Sequence, residues 1–240
     1  MKWTKRKTFS MLWVIAGISF TIWLWLAYGA KGVGKEVLQS DKLMKVEDTD
    51  DYIKFTPEGQ YRNVFIFYPG AMVAPVAYAP LCRKIADKNT LVFLIKMPWR
   101  LASKGYNKPK ELRLFTDSTK QYILAGHSQG AKMAAQFVYE NPGLVDKLIL
   151  MGTTHPRDID LSKVSIDVMK ISGSKDGVAG IEDINRNKSK LPATTRYVVI
   201  DGANHSQFGY YGYQLGDDKA TISREFQQQK VLENILDFIK

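Results

Sequence analysis

The run Tyr122-Ile123-Leu124-Ala125-Gly126-His127-Ser128-Gln129-Gly130 constrains the fold more than any other part of the chain. Its first four residues read as a buried strand. Residues 129–140 then carry Ala131, Ala134, Ala135 and Val138 at helical spacing, until Asn141-Pro142-Gly143 stops them. A strand must therefore pass into a helix within a very short turn. Gly126 and Gly130 have no Cβ, which lets strand and helix approach closely enough to make it. Ser128 sits between them, held out at the strand's carboxyl end in the manner of a nucleophile elbow, where a histidine can take its proton.

Such a serine needs a base and an acid, which in this arrangement follow it in chain order. Residues 165–172 read as a buried strand emptying into Gly173-Ser174-Lys175-Asp176-Gly177, and Tyr197-Val198-Val199-Ile200 empties into Asp201-Gly202-Ala203-Asn204-His205. Ser128, Asp176 and His205 each fall just beyond a separate strand, on one edge of a sheet. His205 would serve as general base and then acid, with Asp176 fixing its tautomer. Asp176 can also be read as an Asp-Gly turn residue. Asp201 is the rival acid, but it lies in the same loop as His205 and is better placed to shape that turn. His127 reads as a packed histidine beside the elbow, and His155, after another strand-like run, as a residue that could line the site.

Charge developing on a substrate oxygen needs two N–H donors. One is expected from Gln129, the residue after the serine. The other is expected from the loop Pro69-Gly70-Ala71-Met72 after the strand Val64-Phe65-Ile66-Phe67-Tyr68, from Ala71 or, failing that, Met72.

These segments resemble the α/β-hydrolase superfamily, and within it small membrane-anchored bacterial proteins of the fold-5 type, some related to dienelactone hydrolases. The likeness rests on Tyr68-Pro69-Gly70-Ala71, Ala77-Tyr78-Ala79-Pro80-Leu81, Gly126 to Gly130, Gly173 to Gly177, and Asn204-His205-Ser206-Gln207-Phe208-Gly209 running into Tyr211-Gly212-Tyr213-Gln214-Leu215-Gly216-Asp217. It implies a Ser-Asp-His hydrolase on Ser128, Asp176 and His205 and names no substrate. The Pro-Gly-Ala loop departs from the His-Gly of many relatives, which leaves the second donor less fixed.

Residues 9–30 are uncharged and apolar, include Trp13, Trp23 and Trp25, and come after Lys2, Lys5, Arg6 and Lys7. About 20 helical residues cross a hydrocarbon core of about 30 Å, so the stretch can span a bilayer. Trp3 and the Trp23/Trp25 pair lie near its two ends, where indoles favour the interface. The basic flank keeps the N-terminus cytoplasmic and puts the catalytic domain outside; the alternative is a signal peptide cleaved near Gly29 and a secreted product. Residues 31–50 read as a juxtamembrane linker, and residues 51–240 as one domain that closes without the anchor. Apolar runs near 64, 91, 122, 147, 166 and 196 alternate with helical stretches, which predicts an α/β fold with a mainly parallel sheet covered on both faces. Residues 53–55 are expected as an antiparallel edge strand. A closing helix over about 220–239 is expected to bury Ile222, Phe226, Leu232, Ile235 and Ile239.

No Cys/His cluster suggests a metal, no glycine loop suggests a nucleotide cofactor, and the single Cys82 reads as a core residue. The net charge of +10 and the nine Lys/Arg of residues 83–113 carry no nucleic-acid module and suit an anionic membrane or cell-wall surface, or simply a solvated face. The connections 152–163 and 99–119 are too short for a multi-helix cap. The site should therefore be shallow, taking a small-molecule or surface-polymer ester, with Met72, Met97, Trp99 and His155 as possible walls. An acyltransferase using the same triad and a non-catalytic binding module on the same scaffold are the competing function classes. Oligomeric state is not legible.

Overall fold

The computed structural model describes residues 5–240; the Lys2 and Trp3 expected at the membrane interface lie outside the described residues. In chain order it contains α1 (Lys5–Ala27), β1 (Met44–Asp48), β2 (Tyr52–Pro57), β3 (Asn63–Tyr68), α2 (Ala79–Ala86), β4 (Thr90–Ile95), α3 (Lys108–Glu111), β5 (Gln121–His127), α4 (Gln129–Glu140), β6 (Lys147–Met151), β7 (Asp167–Gly173), α5 (Ile181–Arg186), β8 (Arg196–Ile200) and α6 (Arg224–Phe238). The strands form one eight-stranded sheet in the order β1-β2-β4-β3-β5-β6-β7-β8. β1 and β2 run antiparallel at one side, and every pairing from β4 to β8 is parallel.

Side-chain alternation explains why both faces are covered. In β3, Phe65 and Phe67 point into a core closed by Leu81, Cys82 and Ile85 of α2 and Val231 and Ile235 of α6. Val64, Ile66 and Tyr68 point the other way, into a core closed by Ala131, Ala134, Ala135, Phe137 and Val138 of α4. A strand buried on both faces loses the polar half of the period-two pattern and reads as a continuous apolar run.

One boundary and one burial pattern differ from the sequence expectation. The expected linker over residues 31–50 contains β1, which pairs with β2 from Ile53 to Pro57 and makes the true edge, so residues 53–55 belong to an inner strand. β1 buries only Met44 and otherwise carries Lys45, Glu47 and Asp48, a charged edge that resists further pairing and hides its strand character. In α6, whose N-cap Ser223 accepts from the Phe226 N–H, Phe226 is exposed, whereas Gln227 and Gln228 are buried. Their amides hydrogen-bond to backbone groups of the loop after β8, so a polar pair occupies positions where the helical period calls for apolar residues.

Helix α1 is long and apolar enough to cross a membrane and projects from the domain with its side chains exposed; a signal sequence would share these properties.

Candidate active site

β5 ends at His127, and α4 begins at Gln129, leaving Ser128 alone in the turn. Its backbone adopts φ 54° and ψ −118°, a conformation costly for a residue with a side chain. The turn is held by the Ser128 N–H donating to the Met151 carbonyl (2.9 Å) and the Lys132 N–H donating to the Ser128 carbonyl (3.0 Å). A Cβ at Gly126 would lie 2.5 Å from the Gly130 carbonyl carbon, and one at Gly130 would overlap the Tyr68 carbonyl oxygen. Both glycines are therefore steric requirements of the elbow.

His205 and Asp176, from the loops after β8 and β7, meet beside this serine. The His205 Nδ1 lies 3.0 and 2.9 Å from the two carboxylate oxygens of Asp176, with both side chains fully buried. Asp176 Oδ1 also accepts the N–H groups of Val178 (2.9 Å) and Ala179 (2.6 Å), which fix the carboxylate's direction. An ionised carboxylate only accepts, so Nδ1 carries the proton and Nε2 is left as the basic nitrogen. Nε2 is buried and has no hydrogen-bond partner. Asp201 faces elsewhere: its Oδ1 accepts from the Ser174 hydroxyl at 2.8 Å, and that hydroxyl in turn accepts the Gly202 N–H.

The histidine loop is braced by a carboxylate that strand-end spacing does not single out. Asp217, itself buried, accepts the N–H of His205 (3.0 Å) and both the N–H (2.8 Å) and hydroxyl (2.7 Å) of Ser206. On the opposite side Asn204 exchanges two bonds with the Gln227 side chain, tying the loop to α6. Asp217 ends the last segment that carries the family resemblance, but nothing in the strand-end spacing marks an acid twelve residues beyond the histidine as a brace for its loop.

His127 is buried under the site, its ring centroid 4.5 Å from that of His205. Burial, then the neighbouring imidazole, push its pKa well below the usual histidine range. The neutral ring contacts the Tyr78 hydroxyl through Nδ1 at 2.8 Å, and the same hydroxyl accepts the Gly70 N–H at 3.2 Å. The chain from His127 through Tyr78 sets the start of the loop after β3. In that loop the Met72 N–H is committed to the Arg100 carbonyl at 2.8 Å, which removes it as a free donor. Among the described residues the N–H groups of Ala71 and Gln129 have no acceptor.

A cavity of about 250 Å³ opens over these groups, lined by Ser128, His205, Gln129, Gly152, Thr153, Thr154, Val178 and Ala179 together with Lys132, His155 and Arg157. The structure thus brings Ser128, Gln129, His155 and His205 to one cavity, with Asp176 directly behind His205. It does not bring Ala71, Met72, Met97 or Trp99 into that lining: Met97 is buried in the core under α4, and Trp99 is 80% exposed. The two cationic walls escaped the sequence reading. Lys132 lies four residues after Ser128, which puts it one helical turn along α4 on the face that carries the elbow. Burial, followed by Lys132 and Arg157, lowers the His155 pKa to about 4, so that ring is neutral at pH 7.

The sequence profile of the alpha/beta hydrolase family matches residues 64–229. No curated protein matches the chain in sequence. Among solved structures, a predicted CIB-like hydrolase from Thermoplasma acidophilum superposes with a TM-score of 0.61 at 13% identity, covering 80% of this chain and 98% of that one. An alpha-beta serine hydrolase homologue from Coxiella burnetii gives 0.54 at 15%, covering 82% and 98%. Dienelactone hydrolase from Anabaena variabilis gives 0.57 at 13%, covering 80% and 97%. At such identities the likeness to these structures is one of fold.

Proposed function

Because the chain belongs to the alpha/beta hydrolase family, we propose that it is a serine hydrolase that cleaves an ester or related acyl bond through an acyl-enzyme on Ser128. The observation that carries this reading is the buried His205–Asp176 pair, whose Nε2 has no partner and whose imidazole lines the same cavity as the strained serine. His205 Nε2 takes the Ser128 proton as the hydroxyl oxygen bonds to the acyl carbon, and the carbonyl electrons move onto its oxygen. The N–H groups of Gln129, at the amino end of α4, and of Ala71 receive that oxyanion. Collapse expels the alcohol, which leaves with the proton carried by His205. Water, deprotonated by the same nitrogen, then attacks the acyl-enzyme, and Ser128 departs with its proton restored.

The cavity is small, and Lys132 and Arg157 stand on its wall, which favours a compact ester with a polar or negatively charged group beside the scissile bond. Helix α1 serves as an uncleaved anchor, and Lys5, Arg6 and Lys7 at its start keep the N-terminus cytoplasmic and the catalytic domain outside.

A fluorophosphonate probe should label the full-length protein, and Ser128→Ala should abolish labelling with the fold retained. Labelling that persists in this variant would remove Ser128 from the role of nucleophile. Protease added to intact cells should degrade the domain; a protected domain would reverse the orientation.

A further inference from the structure

The carboxyl end of α1 docks onto the edge of the sheet that carries the site. The Ala74 N–H, in the loop after β3, donates to the Tyr28 carbonyl at 2.9 Å. In the loop after β8, the Gly212 N–H donates to the Ala27 carbonyl (2.9 Å), and the Lys31 N–H donates to the Tyr210 carbonyl (2.7 Å) across a short antiparallel bridge between Ala30 and Tyr211. A Cβ at Gly212 would stand 2.6 Å from the Ala27 carbonyl oxygen, so the approach is built for a glycine. In the loop after β4, the Arg100 guanidinium lies 3.6 Å over the Trp25 ring. All three loops leave the carboxyl ends of their strands, as do the loops carrying Asp176 and His205. The helix therefore leaves the domain from its catalytic edge.

Exposed apolar side chains flank that exit. Trp99 is 80% exposed next to the stacked Arg100, while Tyr213 and Leu215, 59% and 49% exposed, lie by Tyr28. Trp99 and Arg100 both hold a left-handed φ of 55°. Water gives no reason to retain an indole in that setting, whereas the bilayer interface favours indole and phenol rings.

We propose that residues 25–31 clamp the catalytic edge against the bilayer in which α1 is embedded, with Trp99, Tyr213 and Leu215 in the interfacial layer, so that the ester is drawn from an amphiphile of that layer. This rests on α1 being an anchor and deepens the hydrolase reading by naming where the substrate resides. An amphiphile need not leave the bilayer completely: its ester and polar group enter the small cationic cavity while its chains stay in the lipid. The arrangement also accounts for a cavity that lacks a long acyl groove.

Depth is measured first, because it does not depend on catalysis. Full-length Trp99→Cys, labelled with an NBD fluorophore while the fully buried Cys82 stays unreactive, is reconstituted in vesicles of phosphatidylcholine and phosphatidylglycerol. Its emission should shift to the blue and be quenched by shallow doxyl lipids, with little quenching by aqueous iodide. Quenching by iodide alone overturns the proposal whether or not the protein is a hydrolase. In the same vesicles the double substitution Tyr213→Ser with Leu215→Ser should lower hydrolysis of a bilayer-partitioned p-nitrophenyl palmitate about tenfold and leave p-nitrophenyl acetate hydrolysis unchanged. Equal rates on both esters before and after substitution, or equal losses on both, count against a membrane-drawn substrate and leave Ser128 chemistry standing.

Discussion

Lys170 offers a quantitative test of the packing around the site. It occupies β7 with only 1% of its surface exposed, and its ammonium donates to the His155 carbonyl on the cavity wall. Burial, with a smaller contribution from Arg157, lowers its pKa from 10.5 to about 7. The unfolded chain therefore holds this proton up to about pH 10, whereas the folded one releases it near pH 7, so unfolding takes up a proton between these values and stability rises with pH across the window. At about 1.4 kcal/mol per unit, the rise amounts to about 2 kcal/mol from pH 7 to pH 9, allowing for partial ionisation at the lower end. Lys170→Met removes the effect and retains the stem's volume. Urea titrations of the full chain in a mild detergent should show the variant more stable than the parent at pH 7, and that advantage should shrink by about 2 kcal/mol by pH 9. Referring both proteins to the same pH cancels other groups, including the buried Cys82 thiol, whose pKa burial raises. A difference that stays constant from pH 7 to pH 9 would mean that Lys170 remains charged in the fold, and would refute the argument.

Asp176→Asn should lower kcat by several orders of magnitude, on the order of 10⁴ as for other triad acids, while Asp201→Asn should lie within a few-fold of the parent, because its carboxylate only meets Ser174; steady-state kinetics on a soluble ester decide, and a larger loss at Asp201 would reassign the acid. Tyr78→Phe keeps the ring but strips partners from the Gly70 N–H and His127 Nδ1, at a cost of about 1–3 kcal/mol for the buried groups left unpaired. Thermal unfolding should register that loss, and kcat should fall through the displaced oxyanion loop; an unchanged melting temperature would show that water replaces the hydroxyl.

The fold was most legible where burial is symmetrical. Strands β3 to β7 are covered on both faces, so their sequences are nearly unbroken apolar runs, and Gly126 and Gly130 announce a turn that sterics allow to no larger residue. Legibility failed where burial is one-sided or polar. β1 hides among charges because it needs only one inward residue, and Gln227 and Gln228 look like solvent positions although the loop carrying His205 supplies them with backbone partners. The same distinction runs through the site. Ser128, Asp176 and His205 stand at strand ends and can be placed by counting strands. Asp217, Tyr78 and Lys132 act through distances that exist only once separate loops have been folded over one another.

The division of the chain near residue 50 shows how composition can mislead about mechanism. Hydropathy reports which residues prefer lipid, and the helix long and apolar enough to cross a membrane runs over Lys5–Ala27, three residues short of the end of the apolar stretch 9–30. Hydropathy carries no information about where the end of that stretch comes to rest. The carbonyls of Ala27 and Tyr28 are the last of a helix that has no further turn to bond them, and exposed helix ends must find donors elsewhere. They find them in the Gly212 and Ala74 N–H groups, one in the loop that carries His205 and the other just beyond Ala71. Met72 and Arg100 hold left-handed backbones in the same cluster, a local cost that persists only when the surroundings fix it, and the stacking of Arg100 on Trp25 is one of the contacts that do so. Two of the loops around the serine are thus completed by residues that a hydropathy profile assigns to the membrane.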